Sequence, residues 1–200
     1  MFTGIIEAVG KVMQINPDRA NINFCIESNI SNQLKVDQSV SHDGVCLTVT
    51  RVDGNKHWVT AIQETLQKSN LSGWQVNTQI NLERCMVANG RFDGHIVQGH
   101  VDQVGVVKSI KDENGSWRFS IEYDATQGNV TVEKGSIAVN GVSLTCFDVG
   151  MGSFSVAIIP YTFEHTGFGK IQTGEKVNLE FDIIGKYVKR LLNKESVNLF

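Results

Sequence analysis

The chain repeats itself. Val40-Ser41-His42-Asp43-Gly44-Val45-Cys46-Leu47-Thr48 recurs 97 residues later as Ile137-Ala138-Val139-Asn140-Gly141-Val142-Ser143-Leu144-Thr145. Each copy reads as strand, Asp-Gly or Asn-Gly turn, strand, because those dipeptides adopt the positive φ angles of tight hairpins. The Gly, Val, Leu and Thr are identical in the two copies. Between Val and Leu stands Cys46 in one and Ser143 in the other. A repeated hairpin that exchanges one reactive side chain argues for two related pockets with different tasks.

The match extends on both sides. Gly4-Ile5-Ile6-Glu7-Ala8-Val9-Gly10 corresponds to Gly99-His100-Val101-Asp102-Gln103-Val104-Gly105, and Ile62-Gln63-Glu64-Thr65-Leu66 to Ile159-Pro160-Tyr161-Thr162-Phe163. Ile80-Asn81-Leu82-Glu83 corresponds to Val177-Asn178-Leu179-Glu180. Gly44 and Thr65 are 21 residues apart, as are Gly141 and Thr162. Ordered matches at fixed spacing imply tandem duplication. The period is too long for a solenoid, so each copy is a whole domain of roughly 90 residues.

Composition excludes several classes. Eighteen Lys and Arg against 21 Asp and Glu leave a net charge of −3 and no basic footprint for nucleic acid. The start, Met1-Phe2-Thr3-Gly4, lacks the pattern of a signal peptide, and no apolar run is long enough for a membrane span. Cys25, Cys46, Cys85 and Cys146 are scattered without a C-x-x-C pair and read as reduced thiols of a cytoplasmic protein.

Short alternating runs such as Asn21-Ile22-Asn23-Phe24-Cys25-Ile26 read as half-buried strands, and turn signals punctuate them at short intervals. Each copy is expected to be a small antiparallel barrel or sandwich, with the boundary between residues 89 and 95. The last segment has no counterpart in the first copy. Ile184, Tyr187, Val188, Leu191 and Leu192 form the apolar stripe of an amphipathic helix, opposite Lys186, Lys189 and Arg190. That stripe packs either on its own chain or between subunits.

The most conspicuous polar cluster is Gly94-His95-Ile96-Val97-Gln98-Gly99-His100, at the join of the copies. In an extended segment the odd spacing would put the two imidazoles on opposite faces, and no third ligand is evident, so no metal site is expected. His100 stands where the first copy has Ile5, which marks it as a site residue; His95 is as readily a hydrogen-bonded structural histidine. Cys46 and Thr48 share one strand face, as do Ser143 and Thr145, and paired hydroxyls can bond one edge of a planar ligand. A Ser-His-Asp hydrolase built from Ser143, His100 and Asp182 is conceivable, but no G-x-S-x-G elbow accompanies it.

Met1-Phe2-Thr3-Gly4-Ile5-Ile6-Glu7, Gly44 to Val49, Gly94 to Asp102 and Lys134 to Thr145 closely resemble the riboflavin synthase α-chain family, and the likeness runs to about Leu192. The resemblance implies an all-β fold: two tandem six-stranded Greek-key barrels (1–92 and 93–182) and a C-terminal amphipathic helix and tail (183–200) that drives trimerisation. It implies a transferase of riboflavin biosynthesis. Two molecules of 6,7-dimethyl-8-ribityllumazine react by transfer of a four-carbon unit, giving riboflavin and 5-amino-6-(D-ribitylamino)uracil. No cofactor or metal is implied. The implied site lies between the N-terminal barrel of one subunit and the C-terminal barrel of its neighbour in a homotrimer, with association with a lumazine synthase left open.

Carried over residue by residue, activity is associated with Phe2, Ser39, Cys46, His95, His100, Ser143 and Asp182. Ligand contacts of the first barrel are expected at Gly4, Ile5 and Ile6, at Cys46, Leu47 and Thr48, and at Thr60, Ala61, Ile62, Gln63, Glu64 and Thr65. Those of the second are expected at Gly99, His100 and Val101, at Lys134, at Ser143, Leu144 and Thr145, and at Ile159, Pro160, Tyr161, Thr162, Phe163 and Glu164. His100 is a candidate base for the acidic methyl protons of the lumazine. Cys46, or a water, could add to the second lumazine. His42, Gln98 and Tyr161 depart from the commonest family pattern. The competing reading is a non-catalytic lumazine- or flavin-binding relative, which would look different at Cys46, His95, His100, Ser143 and Thr145.

Overall fold

The computed structural model describes residues 1–194, with side chains through residue 192; residues 195–200, the end of the expected tail, lie outside the described residues. Strands β1 (Ala8–Asp18), β2 (Asn21–Glu27), β3 (Ser39–His42), β4 (Val45–Asp53), β5 (Lys56–Ala61) and β6 (Gln79–Arg84) close into an antiparallel barrel in the order β1-β2-β5-β4-β3-β6. Strand periodicity decides what faces inward. Along β5, His57, Val59 and Ala61 are buried while Lys56, Trp58 and Thr60 are less so. Phe24, Ile26, Val40, Val49, Ile80 and Leu82 complete the core. Helix α1 (Gln63–Lys68) follows β5.

The second copy repeats this with one break. Strands β7 (Gln103–Asp112), β8 (Trp117–Tyr123), β9 (Ser136–Val139), β10 (Val142–Thr145), β11 (Phe147–Gly150), β12 (Ser153–Ile158) and β13 (Lys176–Phe181) form a seven-stranded barrel-like sheet. Helix α2 (Pro160–His165) lies between β12 and β13. The fold class is the expected one, but the counterpart of β4 is divided at Cys146 into β10 and β11. Cys146 donates its N–H to the Gly135 carbonyl and accepts from the Lys134 N–H, so its polar groups leave the sheet ladder. Val49 makes the same exchange with Gln38 and Asp37, yet there it causes only a bulge between Val49 and Arg51. In the second domain Asp148, at φ 48°, widens the irregularity to the interval from Phe147 to Gly150.

The two hairpins meet tip to tip about a local pseudo-twofold axis. A Cβ on Gly44 would lie 2.8 Å from the Gly141 nitrogen, and one on Gly141 2.7 Å from the Gly44 nitrogen. Only glycine permits that approach at positive φ. Buried asparagines cross the junction: Asn81 Nδ2 donates to the Asn140 carbonyl and Asn178 Nδ2 to the Asp43 carbonyl, both at 2.9 Å. Asp43 Oδ1 accepts from the Asn81 N–H, and Asn140 Oδ1 from the Asn178 N–H, each at 2.7 Å.

Asp43 and Asn140 thus do the same work, but Asp43 can ionise. Burial pushes its carboxyl up to about 7 from 3.8. A raised folded-state value for an acid means stability is full below the unfolded value and is lost as pH climbs from 3.8 toward 7. At about 1.4 kcal/mol per unit the ceiling on that loss is about 4 kcal/mol. Asp43→Asn is therefore expected to raise Tm at pH 8 and to leave it nearly unchanged at pH 4. Thermal melts at the two pH values check this; an equal change at both would remove ionisation as the cause.

His42, the other departure in this hairpin, is the start of a buried polar chain. Its Nδ1 donates to the Val40 carbonyl at 3.0 Å, its Nε2 lies 2.9 Å from His57 Nε2, and His57 Nδ1 lies 2.8 Å from the Ser31 hydroxyl. Burial lowers both histidines and keeps them neutral. The second domain has Val139 and Phe154 in their places.

Helix α3 (Ile183–Lys194) follows β13 directly. It is held to its own chain by its polar face: Lys186 Nζ reaches Asp102 at 2.7 Å, and Lys189 donates to the Gly128 carbonyl. The apolar stripe faces outward, with Ile184, Tyr187, Val188, Leu191 and Leu192 exposed by 50–67%. Among the described residues no helix is long and apolar enough to cross a membrane.

Candidate functional site

The segments that lead into each domain cross the junction and lie against the other one. Phe2 exchanges both backbone hydrogen bonds with Val97, at 2.7 and 3.1 Å, and the His95 N–H donates to the Thr3 carbonyl at 3.1 Å. The Ser143 N–H donates to the Gly4 carbonyl and the Cys46 N–H to the Gly99 carbonyl, both at 2.8 Å. Ile6 packs on the core of the second domain and Val101 on that of the first. This corrects the sequence-based grouping. Gly4, Ile5 and Ile6 flank Ser143, whereas Gly99, His100 and Val101 flank Cys46. Gly4 and Gly99 are obligatory there: at φ 79° and 81°, an added Cβ would fall 2.6 Å from the Cβ of Ser143 and of Cys46 respectively.

The first face is built on the outer side of β3 and β4. Val45, Leu47 and Val49 point into the barrel, so Cys46 and Thr48 point outward, opposite Ser41 and Ser39. Phe2 is fully buried beside Cys46 and Val97. Burial raises the Cys46 thiol above its usual value, and the Ser39 hydroxyl pulls it partly back. Cys46 is therefore a neutral thiol at rest. His100 follows Gly99 with its side chain exposed.

The second face carries a different set. His95 Nδ1 and Ser143 Oγ are 2.6 Å apart. Burial lowers the imidazole, and the charge of Asp182 raises it in part. With the ring proton on Nε2, the Ser143 hydroxyl donates to a neutral base. Ser143 is thus paired with His95, whose ring feels the charge of Asp182, rather than with His100. An unbroken extended segment would put the two histidines on opposite faces. Gly99 at φ 81° interrupts that segment, and the imidazoles serve different domains instead. Thr145 is exposed on the same strand face as Ser143.

Ile62, Gln63 and Glu64 line the exposed start of α1, as Ile159, Pro160 and Tyr161 line that of α2. Thr65 and Thr162 are half-buried, and Glu164 is exposed. Thr60 donates to Asn23 Oδ1 at 2.6 Å, Phe163 stacks on Trp117 at 3.8 Å, and Tyr161 stacks on His165 at 4.1 Å. Leu47 and Ala61 are core residues and can offer a ligand only backbone; Leu144 packs partly on the second core. Lys134, at φ 63°, stands apart with its Nζ 5.8 Å from the centre of the Phe147 ring. A cleft of about 950 Å³ lies between the domains over Asp43 and Asn140 and holds none of these residues.

Two residues escaped the sequence reading. Glu83 and Glu180 are buried beneath the crossing segments. Glu83 accepts from the Thr3 and Gly4 N–H groups and the Thr3 hydroxyl at 2.7 to 3.0 Å; Glu180 accepts from the Gln98, Gly99 and His100 N–H groups at 2.6 to 2.9 Å. Their signal was present: the same charged residue closes the Ile80-Asn81-Leu82-Glu83 and Val177-Asn178-Leu179-Glu180 runs that the two copies share.

A family model described as "Lumazine binding domain" matches residues 3–85 and again 98–182. A riboflavin synthase of Actinobacillus pleuropneumoniae is 40% identical over 98% of this chain and 91% of its own length. One from Bacillus subtilis (strain 168) is 37% identical over 99% and 93%. Among solved structures, LumP complexed with 6,7-dimethyl-8-(1'-D-ribityl) lumazine superposes with a TM-score of 0.81, at 20% identity, covering 90% of this chain and 98% of that one. The fold is therefore shared with LumP, whereas sequence identity of 37–40% over nearly the whole length is shared with synthases. The chain belongs to the riboflavin synthase family and is a transferase enzyme built on a tandem lumazine-binding repeat.

Proposed function

We propose that this chain converts two molecules of 6,7-dimethyl-8-ribityllumazine into one riboflavin and one 5-amino-6-(D-ribitylamino)uracil, at a site shared between two subunits of a homotrimer in the cytoplasm. The carrying observation is the pair of crossed faces: related in backbone, different in reactive groups, and both open on a single chain. One lumazine rests on the Cys46 face and one on the Ser143 face, and apposition of the faces from different chains stacks the pair. Holding two reactants in register supplies much of the rate. The Ser143 oxygen takes a proton from the methyl carbon of its lumazine as it passes its own hydroxyl proton to Nδ1 of neutral His95. The Cys46 thiol lies beside the other molecule and needs a base before it can add as thiolate; His100, exposed next to it, is the available group. The exposed stripe of α3 supports trimer formation, and four free thiols fit a reducing compartment.

The test is incubation of the purified chain with the lumazine alone. Riboflavin and the ribitylaminouracil should form in equal amounts. Ligand binding without flavin formation would instead make the chain a carrier of the same fold.

A further inference from the structure

We propose that Glu83 and Glu180, buried residues outside both reactive sets, are positioning residues for this reaction, each fixing the reactive residue of the opposite domain through a glycine loop. The inference rests on the proposed function. Glu180 belongs to β13 of the second domain. It holds Gly99 and His100, and the Gly99 carbonyl in turn accepts the Cys46 N–H of the first domain. Glu83 belongs to β6 of the first domain. It holds Thr3 and Gly4, and the Gly4 carbonyl accepts the Ser143 N–H of the second. The two relays are equivalent about the pseudo-twofold axis of the junction, and they place both reactive faces under the control of buried carboxylates.

The chemistry of the receptor explains why glutamate stands there. Three donors converge on each side chain, and a carboxylate accepts at two oxygens while offering no proton. Burial pushes both carboxyls up and the converging donors, at 2.6 to 3.0 Å, pull them back, because bonds to an ionised acceptor are stronger than neutral ones. Glutamine has the same volume but would turn an NH2 toward N–H donors. The loops have no slack. At Gly4 and Gly99 the backbone abuts Ser143 and Cys46 so closely that a single Cβ would collide, so displacement of a loop displaces the reactive residue. His100 moves with the same loop, because its own N–H is one of the three donors to Glu180.

The experiment compares Glu180→Gln and Glu83→Gln with the parent full-length chain, using the lumazine as substrate and as fluorescent ligand. Misplacement of reacting groups by about 1 Å costs on the order of 10²-fold in rate. Each variant should therefore lose about that much in kcat, with KM changing by less than about threefold, because contacts made in the ground state persist. Amide proton shifts give a readout independent of turnover. In the parent, the amides of Gly4, Gly99 and His100 should lie well downfield. Glu180→Gln should move Gly99 and His100 upfield and leave Gly4, and Glu83→Gln should do the reverse. Parental kcat in both variants, a rise in KM with kcat intact, or ordinary amide shifts in the parent would each overturn the proposal. If a glutamine variant fails to fold, the parent's amide shifts decide. A parent that makes no riboflavin would count against the functional reading, while the amide shifts still test the relays.

Discussion

His95→Ala is expected to lower kcat by about 10²- to 10⁴-fold, the span typical of a lost general base, while changing lumazine affinity far less. The reason is local. His95 Nδ1 sits 2.6 Å from the Ser143 hydroxyl, and burial keeps the ring neutral. Ser143→Ala should produce a loss of similar kind, and the double variant should be little worse than either single one, because the two act as a unit. The pH profile supplies the sign. Burial lowers the imidazole below 6.5, so the acid limb of kcat/KM should fall below pH 6.5. Asp182 favours the charged ring and offsets part of that shift. Asp182→Asn removes the offset, lowers the imidazole further and should move the limb to still lower pH. Steady-state kinetics from pH 5 to 8 check both expectations. Parental kcat in His95→Ala, or a limb that moves upward in Asp182→Asn, would remove His95 as the base.

What was legible in the sequence follows from how local the causes are. The repeated hairpin could be read because Asp43-Gly44 and Asn140-Gly141 carry their turn geometry in two residues, with φ 46°, 82°, 45° and 79°. That Cys46 and Thr48 share one strand face, and Ser143 and Thr145 another, followed from strand alternation alone; that those faces point outward did not. The exchange of the leading segments left no such trace. Gly4-Ile5-Ile6 and Gly99-His100-Val101 have no periodicity, and their partners, Ser143 and Cys46, are distant in sequence. So Ser143 was matched with His100, although His95 is the histidine on its face. The break at Cys146 was equally hidden, since Val49 makes the same bonds and only bulges. The helix stripe was readable from spacing, but not its partner: that Lys186 and Lys189 would tie α3 down, leaving the stripe outside, depends on Asp102 and Gly128.

Replacing Tyr187 and Leu191 together with Asp is expected to give a folded monomer that binds lumazine and makes almost no riboflavin. Both side chains are more than 60% exposed, so the substitutions disturb no core. Burial of the stripe between subunits, as proposed, would contribute several kcal/mol at about 25 cal/mol per Å² of apolar surface, and two buried charges would more than cancel it. Loss of assembly separates the faces without damaging either, so kcat/KM should fall by about 10²-fold or more while ligand fluorescence persists. Sedimentation, ligand fluorescence and turnover on one sample check this. A fully active monomer would contradict a site shared between chains.

The most direct measurement mixes two inactive chains. Cys46→Ala disables the first face and Ser143→Ala the second, and each homotrimer then has a defect at every site. After dissociation and reassembly of an equal mixture, some interfaces pair the intact first face of the Ser143→Ala chain with the intact second face of the Cys46→Ala chain. If faces of neighbouring chains form the site, about one quarter of the sites recover both intact faces, and riboflavin formation should return to about one quarter of the parental rate. If each chain works alone, every chain in the mixture still carries its own defect. A mixed sample no more active than the two variants apart would contradict the shared site.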